Sequence, residues 1–208
     1  MGGLSSSHLF FTHRGLVMSR LEFLLAMEAH QEIEREYCWY VKLDKDPKEI
    51  ISGFIASGFT PLYQRQANIK APSGAIRVRY EKEDGTEAYT QTVKKYLPKT
   101  GDDIPSSKET TFDIDVDVYT AFVSIVGEEM CKIRFKVPYT DKEGSFWEVD
   151  IFTDGEFNPV GYAKIDLETS LTIDDDTVVL PISGDVYPAS PANKAVTDEI
   201  NERVKVKV

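Results

Sequence analysis

Histidine is scarce in this chain: His8, His13 and His30 are its whole complement, all near the N-terminus. The remaining sequence therefore has no imidazole for a catalytic triad, a proton shuttle or a histidine-rich metal site. Cysteine is scarcer still. Cys38 and Cys131 have no metal-like spacing, so they read as buried free thiols in a reducing, cytoplasmic setting rather than as a zinc site or disulfide framework. Long apolar runs are missing as well. No stretch approaches the ~18–20 residues that span a bilayer, and no membrane partner is expected. Positive net charge is also absent: 24 Lys and Arg against 35 Asp and Glu leave −11. That balance argues against a general nucleic-acid binder, although it leaves room for a locally basic pocket.

With 208 residues, 41% of them hydrophobic, the chain can bury a core as one large domain or two small ones. Residues 1–30 read as a weakly specified extension outside the functional core. They hold short apolar patches, Leu9-Phe10-Phe11 and Leu21 to Met27, but no h-region with a small-residue cleavage site. Gly2 with Ser6 fits a minimal myristoylation pattern that is common by chance. Met18 and Met27 are alternative starts, and Ser19 to His30 is suited to a helix. Residues 31–208 read as a single domain that includes a C-terminal helix.

Within that domain the dominant feature is strict alternation. Glu32, Glu34 and Glu36 alternate with Ile33, Arg35 and Tyr37; Arg77 and Arg79 with Ile76, Val78 and Tyr80; Lys132, Arg134 and Lys136 with Ile133, Phe135 and Val137; Lys164, Asp166 and Glu168 with Ile165 and Leu167. A period of two puts each charged set on one face of a strand. A merely wet face has no reason to sort its charges by sign, yet some of these strands are acidic and others basic. Asp113, Asp115 and Asp117 alternate within Thr111 to Val118; they suit either inward carboxylates or a solvent-facing stripe that discourages edge pairing.

Turn and cap signals order the remainder. Asp46-Pro47 opens a helix with the stripe Ile50, Ile51, Phe54 and Ile55, closed at Gly58. Asp84-Gly85 marks a hairpin between Gly74 to Glu83 and Glu87 to Tyr96. A second hairpin joins Cys131 to Tyr139 with Phe146 to Phe152, a strand follows at Tyr162 to Thr169, and a helix runs from about Pro191 to Arg203. The expectation is a mainly β (α+β) fold: a closed eight-stranded antiparallel β-barrel or tunnel with a few flanking helices, its charges lining the interior. Trp39, Trp147 and Tyr162 are assigned to packing, and Lys136, Glu148 and Glu168 to positions beyond the tunnel mouth.

In order and spacing these motifs resemble the CYTH superfamily, the triphosphate tunnel metalloenzymes that include class IV adenylyl cyclases and thiamine triphosphatases. The likeness covers roughly residues 31–196. Glu32-Ile33-Glu34-Arg35-Glu36 resembles the family's Glu-x-Glu-x-Lys strand. Arg77 and Arg79 match its Arg-x-Arg, Thr92 and Lys94 its Thr-x-Lys, and Lys132 and Arg134 its Lys-x-Arg. Val149-Asp150-Ile151-Phe152 is similar to its acidic strand, Lys164-Ile165-Asp166 stands where the family has Glu-x-Glu, and Asp185 to Asn193 is similar to its closing segment.

The resemblance implies metal-dependent hydrolysis of a triphosphate-containing compound, such as inorganic triphosphate or a nucleoside or thiamine triphosphate. It implies Mg²⁺ or Mn²⁺ as cofactor, with Glu32, Glu34, Asp150 and Asp166 as metal ligands. Glu32, Glu34 and Asp166 would be catalytic. Arg77, Arg79, Lys94, Lys132, Arg134 and Lys164 would hold a small-molecule triphosphate or nucleotide. A homodimer is left open.

Two positions depart from the family pattern. Glu36 replaces a cation, and Lys164 replaces a carboxylate. A compensating Glu36–Lys164 pair is one reading. The other is a catalytically degenerate tunnel that binds a nucleotide or polyphosphate without cleaving it. Cyclisation of ATP is a third option, for which the residues supply no adenine-recognition signal.

Overall fold

The computed structural model describes residues 35–96, 107–139, 144–169 and 178–208, all within the compact unit Glu34–Val208. Its strands are β1 (Arg35–Leu43), β2 (Leu62–Ala71), β3 (Gly74–Glu83), β4 (Thr86–Tyr96), β5 (Ser107–Asp113), β6 (Glu128–Pro138), β7 (Phe146–Thr153), β8 (Pro159–Thr169), β9 (Gly184–Pro188) and β10 (Lys205–Lys207). The helices are α1 (Pro47–Ala56), α2 (Val116–Val126) and α3 (Lys194–Arg203), the last preceded by a 3₁₀ turn at Pro191–Asn193.

All strand pairings among the described residues are antiparallel, in the order β5-β4-β3-β2-β6-β7-β8-β1-β9, with β10 added to β6. The expected antiparallel sheet is present, with ten strands instead of eight. The expected closure is not. No pairing among the described residues joins β5 to β9, the two ends of the sheet. Glu109 and Asp113 of β5 share the face on which β9 carries Asp185, so on that face both edges present carboxylates. Pro188 also removes a donor from β9.

Local chemistry fixes the connections. Asp84 and Gly85 both adopt positive φ, 47° and 82°, as a two-residue hairpin turn requires. In α1 the Asp46 carboxylate accepts from Lys48 N at 2.9 Å and Pro47 occupies the first turn. Ser57 caps its C-terminus, one residue before the glycine that the sequence suggests. The strand expected over Thr111 to Val118 ends at Asp113. Asp115 becomes the N-cap of α2 and Asp117 lies in its first turn, where the positive end of the helix dipole favours a carboxylate.

Alternation sends the apolar residues to one face. There Trp39, Val41, Ile133, Phe135, Trp147, Val149, Ile165 and Leu167 pack under Ile50, Ile51 and Phe54 of α1. Phe135 is fully buried and its ring lies 4.8 Å from that of Phe54. On β2 and β3 the same face carries Ala67 and Val78, covered by Tyr119 and Val123 of α2. Both helices therefore sit on the apolar face, and the charged residues occupy the other. No helix among the described residues is long and apolar enough to cross a membrane.

Candidate functional site

The pair registers assemble the charged residues into one wall. Arg77 lies opposite Thr92 and Arg79 opposite Thr90, while Gln66 of β2 lies opposite Arg79 on one side and Met130 on the other. Gln64 lies opposite Lys132, Arg134 opposite Asp150, Asp150 opposite Lys164, Glu148 opposite Asp166, and Asp166 opposite Cys38. This face is polar and yet largely buried: Asp150 is 0% exposed, Asp166 3%, Lys132 4% and Arg134 8%. One end is apolar. Ile200 and Val204, at the end of α3, pack with Phe152, Met130, Tyr40 and Tyr187, which share the wall's parity, and the Tyr40 hydroxyl meets the Asn201 amide at 3.1 Å.

Three ion-pair groups divide the wall. On β6 and β7, Asp150 accepts from Arg134 Nε at 2.6 Å, from a second Arg134 nitrogen at 2.7 Å, and from Lys132. Arg134 also bonds Glu148, which Lys136 approaches at 3.6 Å. On β8, Lys164 Nζ lies 2.6 Å from Asp166 Oδ2. On β3 to β5, Lys94 reaches Glu109 at 2.7 Å, Arg77 only approaches Glu109 at 4.0 Å, and Arg79 reaches Glu81 at 3.2 Å.

The electrostatics of these groups differ. Burial alone would raise the Asp150 carboxyl, but the Lys132 ammonium and then the Arg134 guanidinium overcome it and hold Asp150 well below the usual carboxylate range. Burial, opposed by Asp150 and reinforced by Arg134 and Arg79, brings the Lys132 ammonium down to about 7. Burial, with the neighbouring Arg79 and Arg134 cations, lowers Arg77 to about 10 although Glu109 works against it. Arg77 thus stands between the Arg79 and Arg134 cations, offset in part by Glu109 and Glu81. Among the described residues, the Nε atoms of Arg77 and Arg79 on the wall, and of Arg65 on the opposite face, are buried without a hydrogen-bond partner.

Of the expected site residues, Arg77, Arg79, Lys132 and Arg134 are thus brought into mutual electrostatic reach, with Asp150 between the last two. Lys94 is on the same face but half-exposed and held by Glu109. Lys164 and Asp166 share the face across β8. Glu32 and Glu34 lie outside the described residues. The Glu36–Lys164 pairing does not follow from the register: Glu36 lies opposite Glu168 and Lys164 opposite Tyr40, a displacement of about 13 Å along the strand. Glu148, placed beyond the mouth by sequence, is instead 7% exposed and bonded to Arg134.

Several wall residues escaped the sequence reading. Gln64 is fully buried and donates to Glu81 at 2.6 Å, and its own Oε1 has no partner among the described residues. Gln66, Glu81 and Glu109 are others. Gln64, Gln66 and Asn68 alternate along β2, so period two was the available signal; without charge it was passed over.

A hard divalent ion needs several free carboxylate oxygens. Among the described residues no three acidic, histidine or cysteine side chains gather into such a site. Asp150 already accepts three hydrogen bonds from cations. The described carboxylates alone do not fit Mg²⁺ or Mn²⁺.

No protein-family model and no curated protein matches the sequence. Solved structures do. The chain is similar to the crystal structure of the inorganic triphosphatase NE1496, at 21% identity and a TM-score of 0.43, over 80% of this chain and 95% of that one. It is also similar to the PH1819 protein of Pyrococcus horikoshii OT3, at 18% identity and a TM-score of 0.42, over 82% and 90%. The PH1012 protein of the same organism overlaps at 15% identity and a TM-score of 0.37, over 82% and 90%. Overlap of this order says nothing about which ligand the wall takes.

Proposed function

We propose that the wall holds the phosphates of a triphosphate-containing compound and that the chain hydrolyses a phosphoanhydride bond there. The observation that carries the proposal is the state of β3: two adjacent guanidiniums on the polar wall whose buried Nε donors have no partner among the described residues, with Arg77 within reach of the Arg79 and Arg134 cations. Arg65 shares the unpartnered Nε but lies singly on the apolar face, its terminal nitrogen bonded to the Gly155 carbonyl at 2.6 Å. A buried donor without an acceptor is costly, and a phosphate oxygen supplies what is missing through a charge-assisted hydrogen bond. Lys132 and Arg134 continue the line of cations across β2, each already paired to Asp150. The order of the sequence motifs supports the same class.

For hydrolysis, the cations would stabilise charge that develops on the phosphoryl oxygens as water attacks. Mg²⁺ or Mn²⁺, implied by the resemblance, would depend on Glu32 and Glu34 in addition to Asp166. Calorimetry with tripolyphosphate tests binding. Phosphate release from tripolyphosphate and ATP, with each metal, tests turnover. Wild type should do both, and Glu34→Ala should lose release while keeping binding. Release that persists in Glu34→Ala would refute the catalytic assignment.

A second reading, capture without cleavage, draws on one observation. Lys164 stands where the resemblance asks for a carboxylate and sits 2.6 Å from Asp166. Tight tripolyphosphate binding with no release under either metal would favour it.

A further inference from the structure

The family likeness makes Asp150 a metal ligand; its surroundings point elsewhere. Asp150 is fully buried, and its two oxygens accept from Lys132, Arg134 Nε and the second Arg134 nitrogen. A carboxylate offers about four lone-pair sites, and three are already filled by cationic donors. A divalent ion bound directly to it at about 2.0–2.1 Å would stand against both cations in a dry setting, where such repulsion is poorly screened.

We propose that Asp150 is a positioning residue: a permanent internal counter-ion that clamps Lys132 and Arg134 in fixed geometry and binds no metal. Register supports this, because Asp150 is the direct cross-strand partner of Arg134, and the planar guanidinium meets it edge-on with two bonds. The clamp fixes Lys132 at one end, while Arg134 is held between Asp150 and Glu148. It also lets them sit side by side despite their mutual repulsion. Its value for phosphate binding rests on the function proposed above; its identity as a non-ligand does not.

Three measurements on Asp150→Asn separate the roles. In EDTA, loss of a metal ligand leaves the melting temperature unchanged or raised. Loss of a buried counter-ion should lower it by roughly 10 °C. In a Mn²⁺ titration followed by electron paramagnetic resonance, the variant should match wild type within twofold, whereas a ligand role predicts at least a tenfold loss. For tripolyphosphate, removing a negative charge should tighten binding if charge alone matters. The clamp predicts the opposite sign, a loss of about tenfold. An unchanged melting temperature, lost Mn²⁺ binding or tighter tripolyphosphate binding each overturns the proposal. Should Asp150→Asn fail to fold, the double variant Lys132→Met/Asp150→Asn removes one charge of each sign and carries the Mn²⁺ comparison. If wild type takes no tripolyphosphate, the function proposed for the wall fails, while the melting experiment still decides the role of Asp150.

Discussion

Replacing Arg79 with glutamine separates binding from stability. The side chain is 16% exposed; one terminal nitrogen meets Glu81 at 3.2 Å, the other reaches Gln66 only at 3.5 Å, and Nε has no acceptor among the described residues. Its contribution to folding is therefore small. A partly exposed pair of this kind is worth about 0–1 kcal/mol, and a domain of this size should lose less than about 4 °C in Tm. Its contribution to an anion should be larger, since a charge-assisted hydrogen bond contributes ~1.5–3 kcal/mol. At about 1.4 kcal/mol per factor of ten, that is roughly 10–100-fold in Kd. Calorimetry with tripolyphosphate at constant ionic strength reads the change, with Arg203→Gln on the exposed side of α3 as control. Equal affinity for wild type and Arg79→Gln, with the fold intact, would refute the placement of the anion on β3.

Other outcomes follow from the same geometry. Phe135→Ala, at a fully buried ring stacked on Phe54, should cost about 3–5 kcal/mol in urea unfolding. Gly74→Ala would bring a Cβ within 2.2 Å of the Lys94 carbonyl oxygen; urea unfolding should show a cost of about 1–3 kcal/mol, with weaker tripolyphosphate binding as β3 shifts against β4. Lys132 titrates near 7 in the folded chain against 10.5 for an ordinary lysine. Between those values the unfolded chain binds more protons, so this group makes stability rise with pH from about 7 to 10. The stability of wild type relative to Lys132→Met should therefore grow across that window, as measured by denaturant unfolding at several pH values.

The strands and their facing were legible because alternation is unambiguous when both faces are strongly typed. Ile133, Phe135 and Val137 against Lys132, Arg134 and Lys136 leave one orientation. Asp46-Pro47 and Asp84-Gly85 were legible for a related reason, since each restricts backbone geometry locally. The aspartates of Thr111 to Val118 misled because alternation in Asp113, Asp115 and Asp117 also fits a strand end followed by an N-cap and a first helical turn. Closure was overestimated because sequence shows which residues share a face but not what the two edge strands would present to each other. Ion-pair partners were hidden for the same reason. Asp150 looked like any wall carboxylate until register set it beside Arg134, and Glu148 looked peripheral until that same arginine reached it.

The central claim is that the guanidiniums of β3 await an anion. Arginine Nε–H resonances observed by ¹H–¹⁵N correlation during a tripolyphosphate titration test it most directly. Arg77 and Arg79 should shift in a saturable manner, with Arg134 following, while Arg65, whose Nε is likewise unpartnered but which faces away from the wall and bonds the Gly155 carbonyl, and Arg203 on α3 stay in place. Saturable shifts confined to Arg65 or Arg203, or none on β3 at tripolyphosphate concentrations that saturate calorimetry, would contradict it.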